Sequence, residues 1–290
     1  MTKPRVAVLG LGIMGGGMAG RLVSAGFPLS VYNRNREKAV QFTTAGAFLA
    51  ASPREAASRS EIIISMVADD AASRNMWLGD DGAVAGAAAG SILIESSTLT
   101  VGWVKELAAL ASGAGCELLD APVTGTKPHA ASGELLFMVG GSPAALAKSR
   151  EVFSVLGRDV VHLGGNGCGA LMKLINNFLA GVQAASFAEA ASLIAAGGLN
   201  REKAWSILTN GAPGSLMIKT IAARAAAGDA TVNFALRLMA KDLRYAGEEA
   251  AQRGLALYTG ASALAVFEHA IAKGLGDEDL SAVIKSLRRD

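Results

Sequence analysis

Val6-Ala7-Val8-Leu9-Gly10-Leu11-Gly12-Ile13-Met14-Gly15 decides how the first half of this chain is read. Four apolar residues suit a buried strand, a G-x-G-x-x-G spacing follows at once, and residues 14–25 form a helical pattern closed by Gly26. In a strand–turn–helix context Gly10 permits the tight turn, Gly12 lets backbone approach a pyrophosphate, and Gly15 lets helix pack on sheet. Backbone N–H groups at the helix start can then hold phosphates. A chain with 35 glycines produces such spacings by chance, so the context carries the reading: a dinucleotide site.

The next strand, Leu29–Tyr32, ends in Asn33-Arg34-Asn35-Arg36, with no acid before Glu37. An NAD site ordinarily places Asp or Glu here for the ribose hydroxyls. Arg34 is instead suited to pair with a 2′-phosphate, so NADP is the expected cofactor and NAD the alternative. Downstream, a helix is expected at 36–45, strands at 48–50, 62–67, 91–95 and 117–119, and a short helix at 53–58. Two last strands, 135–139 and 160–162, are read as a hairpin-like extension. Strands interleaved with helices imply an α/β fold: a Rossmann, doubly wound parallel sheet over residues 1–165.

After Gly164-Gly165-Asn166-Gly167 the character changes. Residues 170–196 contain no proline and one glycine, which predicts a long interdomain helix at about 168–197. From Arg201 onward helical patterns alternate with Gly or Pro, so residues 166–290 form an all-helical C-terminal domain. The long helix carries Lys173-Leu174-Ile175-Asn176-Asn177, which sets an ammonium and two carboxamides on one helix face. A nicotinamide carries hydride but no proton, so an oxidoreductase must supply one, and a lysine of shifted acidity can do so. Glu95-Ser96-Ser97-Thr98 and Asp120-Ala121-Pro122-Val123-Thr124-Gly125-Thr126 each leave a predicted strand, where ligands bind in doubly wound folds.

Composition removes other classes. With 27 basic and 25 acidic residues and no basic run, nucleic acid is not an expected partner. Two cysteines and three scattered histidines offer neither a disulfide framework nor a metal site. The apolar run before Gly10 is too short for a signal core, and the apolar stretch 184–198 contains Glu189 and is shorter than the ~20 residues of a membrane span. A soluble, cytoplasmic protein without membrane partners is expected.

The fingerprint, the S-S-T segment, D-A-P-V-T-G-T and K-x-x-N-N stand in the order seen in the β-hydroxyacid dehydrogenase family, which this chain resembles along essentially its whole length. The resemblance extends to Phe234, to Lys241-Asp242-Leu243 and to Gly276-Asp277-Glu278-Asp279-Leu280-Ser281. It implies catalytic roles for Lys173, as proton donor or acceptor, and for Asn177, which holds substrate. It implies cofactor contacts from Gly10, Leu11, Gly12, Ile13, Met14, Gly15, Asn33, Arg34, Met66, Val67, Thr98 and Lys241. Substrate contacts are expected from Ser97, Thr124, Gly125, Thr126, Lys173, Asn177 and Phe234. Thr124 departs from the family's common serine, which keeps the hydroxyl and adds a methyl group.

Thr126-Lys127-Pro128 and the acidic tail resemble the glyoxylate/succinic semialdehyde reductase branch. The implied reaction is hydride transfer between NADPH and a small carboxylated aldehyde or the corresponding hydroxy acid, in a homodimer or homotetramer. The alternatives are an NAD-using dehydrogenase of 3-hydroxyisobutyrate or tartronate semialdehyde type, and a non-catalytic cofactor-binding scaffold. Asn176 stands where 6-phosphogluconate dehydrogenases carry a histidine, and Lys173 is a residue that imine reductases usually lack; both readings are disfavoured.

Overall fold

The structure, a computed structural model, describes residues 2–287. The chain divides into two compact units, 1–173 and 174–290.

The first unit is built on nine strands: β1 (Val6–Leu9), β2 (Leu29–Tyr32), β3 (Phe48–Leu49), β4 (Ile62–Ser65), β5 (Ile92–Glu95), β6 (Glu117–Asp120), β7 (Val123–Thr124), β8 (Leu135–Gly140) and β9 (Gly157–Gly164). They form one sheet in the order β3-β2-β1-β4-β5-β6-β8-β7, with β9 on β8. The first six are parallel. β1, β4 and β5 are buried at every position, the pattern of strands covered by helices on both faces. The chain runs outward from β1 in one direction through β2 and β3, and in the other through β4, β5 and β6. The reversal between β1 and β4 is the switch point where ligands bind such sheets.

β6 and β7 form one course against antiparallel β8, with Asp120 opposite Gly140 and Val123 opposite Phe137 in a single register. The break between them is Ala121-Pro122. Pro122 has no N–H to give the ladder, although its carbonyl still accepts from Met138 N at 2.9 Å.

β8 and β9 correct the expected hairpin: they are parallel. The chain between them forms two helices, Pro143–Lys148 and Arg150–Leu156, and so returns β9 in the same direction. The missed signal is Ser142-Pro143: Ser142 Oγ accepts from Ala145 N at 3.0 Å and Pro143 sits at the first helical turn, a helix start in place of a turn.

The 29-residue helix Cys168–Ala196 crosses from one unit to the other. The compact units part inside it, at 173/174, whereas the sequence put the boundary at 165. Its first turn belongs to the sheet: a side chain at Gly169 would collide with the carbonyl oxygens of Met138 and Asp120. By length and composition it is the one helix among the described residues apolar enough to cross a membrane. Ala184, Phe187, Ala188, Ala191 and Ile194 are nevertheless buried in the second unit's core, as in the core helix of a helical domain.

That unit packs the helices Arg201–Asn210, Leu216–Ala227, Leu236–Gln252 and Tyr258–Ala272 around it. Its described residues contain no strand longer than the bridge Ala235–Asp279.

Candidate active site

Beyond β1 the chain makes the turn that its glycines require. Gly10 has φ +93°, and a Cβ there would strike the Met66 carbonyl; a Cβ at Gly15 would strike the Gly10 carbonyl. Gly12 is different: it is exposed, and a Cβ there would meet nothing within 4 Å. The helix Ile13–Ser24 starts at Gly12 with no side-chain cap and no acid in its first turn. Its leading N–H groups are thus left for an anion, in a cradle that fits a dinucleotide's pyrophosphate. Ile13 is exposed and Met14 half-buried in this first turn.

Asn33 braces this loop: its Oδ1 accepts from Leu11 N at 2.9 Å, and its Nδ2 donates to Asn35 O at 2.7 Å. Leu11 is itself buried, so both residues shape the cradle through this bond. Arg34 is exposed at the end of β2.

The ends of β4 and β5 are tied by a buried carboxylate. Glu95 accepts from Ser73 Oγ (2.6 Å), Trp77 Nε1 (2.7 Å) and Ser97 N (2.9 Å). Ser73 Oγ in turn accepts from Trp103 Nε1 at 2.9 Å, and Ser97 Oγ accepts from Val67 N at 2.8 Å. Ser97, expected at substrate, uses its hydroxyl here as an acceptor, while Met66 N bonds Leu9 O at 2.9 Å. One network therefore fixes the loops carrying Met66, Val67, Ser97 and Thr98. Burial pushes the Glu95 carboxyl above its ordinary range, against the pull of these donors.

At the end of β6, Asp120 is buried and accepts from Gly167 N and Ala170 N at 2.9 Å each. Asn166 Nδ2 lies 3.4 Å away. This carboxylate seats the first turn of the helix that carries Lys173, at the end where the helix dipole favours an anion. Burial raises its pKa and these N–H bonds lower it, with burial the larger. Thr124 and Thr126 are half-buried, and Gly125 is exposed with φ +136°.

In the second unit the carboxamides form a chain. Asn176 Nδ2 donates to Asn177 Oδ1 (2.9 Å), and Asn177 Nδ2 donates to Asp242 Oδ2 (2.5 Å). Lys241 Nζ lies 2.8 Å from Asp242 Oδ1 and 4.6 Å from the Tyr245 ring centre. An ionised carboxylate only accepts, so Asp242 dictates that Asn177 turns its NH₂ toward it. Asn177 and Asp242 are both buried.

Phe234 is positioned from the tail. Asp279 accepts from Asn233 N (2.9 Å), Phe234 N (3.3 Å), Ser281 N (3.1 Å), Ser281 Oγ (2.8 Å) and Arg224 Nε (3.1 Å). The acidic tail motif thereby has a structural account.

Sequence reading missed Glu95, Asp120 and Asp242 as organising groups. Each is an acid placed where the strand or helix pattern demands a buried residue, which is the signal available in the sequence.

Residues 5–164 match the family described as the NAD binding domain of 6-phosphogluconate dehydrogenase. Residues 167–287 match the family described as NAD-binding of NADP-dependent 3-hydroxyisobutyrate dehydrogenase. The chain is 33% identical to an NAD-dependent L-serine dehydrogenase of Pseudomonas aeruginosa, over 97% of both chains. It is also 33% identical to an L-threonate dehydrogenase of Cupriavidus necator, over 97% of this chain and 95% of that one. The solved structure of a 3-hydroxyisobutyrate dehydrogenase from Salmonella typhimurium superposes with a TM-score of 0.89 at 32% identity, covering 98% of this chain and 99% of the other.

The Glu95 network predicts a pH signature. A carboxyl whose pKa is higher folded than unfolded keeps its proton longer in the native state. Native protein then binds more protons than unfolded protein, and stability falls as pH rises from about 4.3 through the raised value. Glu95→Gln cannot titrate. Urea unfolding from pH 4 to 8 should show wild type losing stability relative to Glu95→Gln as pH rises; parallel curves would refute the burial argument.

Proposed function

The chain belongs to the β-hydroxyacid dehydrogenase family, and on that premise we propose an NADPH-dependent reductase of a small carboxylated aldehyde, with Lys173 as general acid. In the reverse direction it oxidises the corresponding hydroxy acid, with the same lysine as base. That the chain is an NAD(P)-dependent hydroxyacid dehydrogenase follows from the family itself. The choice of NADP, of a semialdehyde or glyoxylate as substrate, and of residue roles is our reading.

The observation that carries it is the setting of Lys173-x-x-Asn176-Asn177. The helix bearing Lys173 is seated by Asp120, and Asn177, one turn along, is held by Asp242. Two buried carboxylates fix the neighbourhood of a lysine and an amide on one helix face, which a scaffold without chemistry has no need of.

The Gly10–Gly15 cradle fits the cofactor's pyrophosphate, and the nicotinamide of a dinucleotide held in this way would supply the hydride. Lys173 gives its ammonium proton to the carbonyl oxygen, so no free alkoxide has to form. Asn177 keeps one N–H and one lone pair beyond its bonds to Asp242 and Asn176, enough to hold the substrate oxygen in line. Thr98 and Lys241 serve the nicotinamide half, and Ser97 and Phe234 flank the substrate. Thr124, Gly125 and Thr126 receive the carboxylate. The relatives named for L-serine and L-threonate support a small substrate carrying both a carboxylate and a hydroxyl.

Arg34, exposed where an NAD site has its acid, supports NADP. The NAD-dependent relative keeps the NAD-using dehydrogenase as the second reading. Exposed Leu179, Leu193, Ile207, Leu216 and Tyr258 on the second unit support a homodimer or homotetramer.

Lys173→Ala should lower kcat by about 10²–10⁴-fold, the usual contribution of a positioned acid–base. NADPH affinity should barely change, and near-normal turnover in this variant would sink the assignment.

Arg34→Ala should weaken NADPH by about 10-fold or more, the worth of a charge-assisted pair of roughly 1.5–3 kcal/mol. NADH has no 2′-phosphate and its Kd should hold. Titration calorimetry with both cofactors decides, and equal losses would give Arg34 a structural part only.

A further inference from the structure

The helix Lys127–Ser132 begins at Thr126, the last residue of the loop assigned above to the substrate's acid end. Its third residue is His129, where a capping box ordinarily carries Glu or Gln. Thr126 donates its backbone N–H to His129 Nδ1 at 3.1 Å, and Thr126 Oγ1 lies 2.8 Å from the same nitrogen. A backbone N–H can only donate. Nδ1 is therefore the acceptor and carries no proton, and the ring is the neutral tautomer with its hydrogen on Nε2.

The imidazole also underlies the middle of the loop: a Cβ on Gly125 would come 3.1 Å from His129 Cβ and 2.9 Å from Leu135 Cδ2. The rest of this short helix is clamped. Gly17 of the dinucleotide-cradle helix meets Ala130 so closely that a Cβ at Gly17 would lie 2.8 Å from that of Ala130. The helix cannot shift to compensate for a change at its N-terminus, so the loop's set depends on the His129 acceptor.

The charged residues of the ring's own segment are Lys127 and Glu134, and the packed helix brings Arg21, whose guanidinium lies beside Gly133. Lys127 and Arg21 only donate, and Glu134 is engaged by Ser132 Oγ at 3.1 Å. None of these three stands in for Nδ1.

We propose that His129 is a positioning residue for substrate. Its neutral Nδ1 holds Thr126, which keeps residues 124–126 in the form that receives a carboxylate, and protonation of the ring releases them. The proposal rests on the reading of this loop as the acid-end site. It also refines that reading: Thr126 gives its N–H to His129 and its hydroxyl is engaged in the capping box, leaving the Thr124 hydroxyl and the Gly125 N–H as the loop's donors to substrate.

The test compares wild type, His129→Gln and His129→Ala from pH 5.5 to 8, using NADPH with succinic semialdehyde or with butyraldehyde, which lacks the carboxylate. Glutamine accepts at this capping position without titrating. The KM of wild type for succinic semialdehyde, taken relative to His129→Gln, should rise about fivefold or more from the alkaline to the acid end of this range, with kcat ratios flat. His129→Ala should show the raised KM at every pH. KM for butyraldehyde should follow neither change.

A relative KM that stays flat or falls toward the acid end of the range, as an added positive charge alone would produce, overturns the proposal. So does a glutamine variant that behaves like alanine. A second readout separates this from the reading beneath it: in wild type the Thr126 amide resonance should titrate with the His129 ring. An amide indifferent to that titration overturns the hold itself. Equal use of both aldehydes by wild type, with the amide titrating, overturns instead the acid-end reading of the loop.

Discussion

A carboxylate buried at the end of β6 is the constraint on which the catalytic reading depends. Isolated, a charge there would be too costly to keep, because burial strips its water and the interior returns little. Asp120 is kept by N–H groups from Gly167 and Ala170, at the end of a 29-residue helix whose dipole favours an anion. The seating is close enough that Gly140 and Gly169 can carry no side chain, since a Cβ at either would press on Asp120 or its neighbours. Lys173 stands one turn beyond Gly169. Its backbone is therefore set relative to the sheet by short, buried bonds.

The same device recurs. Glu95 fixes the ends of β4 and β5 through Ser97 and Val67, Asp242 orients Asn177, and Asp279 gathers the segment bearing Phe234. In each case an acid accepts from donors distant in sequence, so that loops at the carboxyl edge of the sheet (Glu95), a side chain on a helix face (Asp242) and the segment before a helix (Asp279) are held by one carboxylate each. Functional residues on loops need such support to keep their geometry, and a buried carboxylate with several donors supplies it from a single side chain.

What could be read in the sequence was what is local. The Gly10–Gly15 turn, the buried strands Val6–Leu9 and Ile62–Ser65 and the long helix each declare themselves within a dozen residues or so, through glycine spacing or hydrophobic period. The direction of β9 did not, because it depends on whether residues 141–156 turn or cross over, and the helix start at Ser142-Pro143 is a short signal without a long hydrophobic period behind it. The supporting acids were equally hidden: Asp120 meets Gly167 and Ala170 across 47 and 50 positions, and Asn177 meets Asp242 across 65. Asn33 carries a further part that its position after β2 does not reveal: its carboxamide braces Leu11 across 22 positions.

The claim that Asp120 places the proton donor is most directly tested by single-turnover oxidation of bound NADPH, followed at 340 nm with saturating succinic semialdehyde. Wild type is compared with Asp120→Asn, whose amide turns a donor toward N–H groups that need an acceptor. The account predicts a folded variant with NADPH affinity within about twofold of wild type and a hydride-transfer rate at least about 10-fold lower, the effect expected of a misplaced catalytic group. An unchanged rate in Asp120→Asn, or a loss confined to NADPH binding, would contradict it.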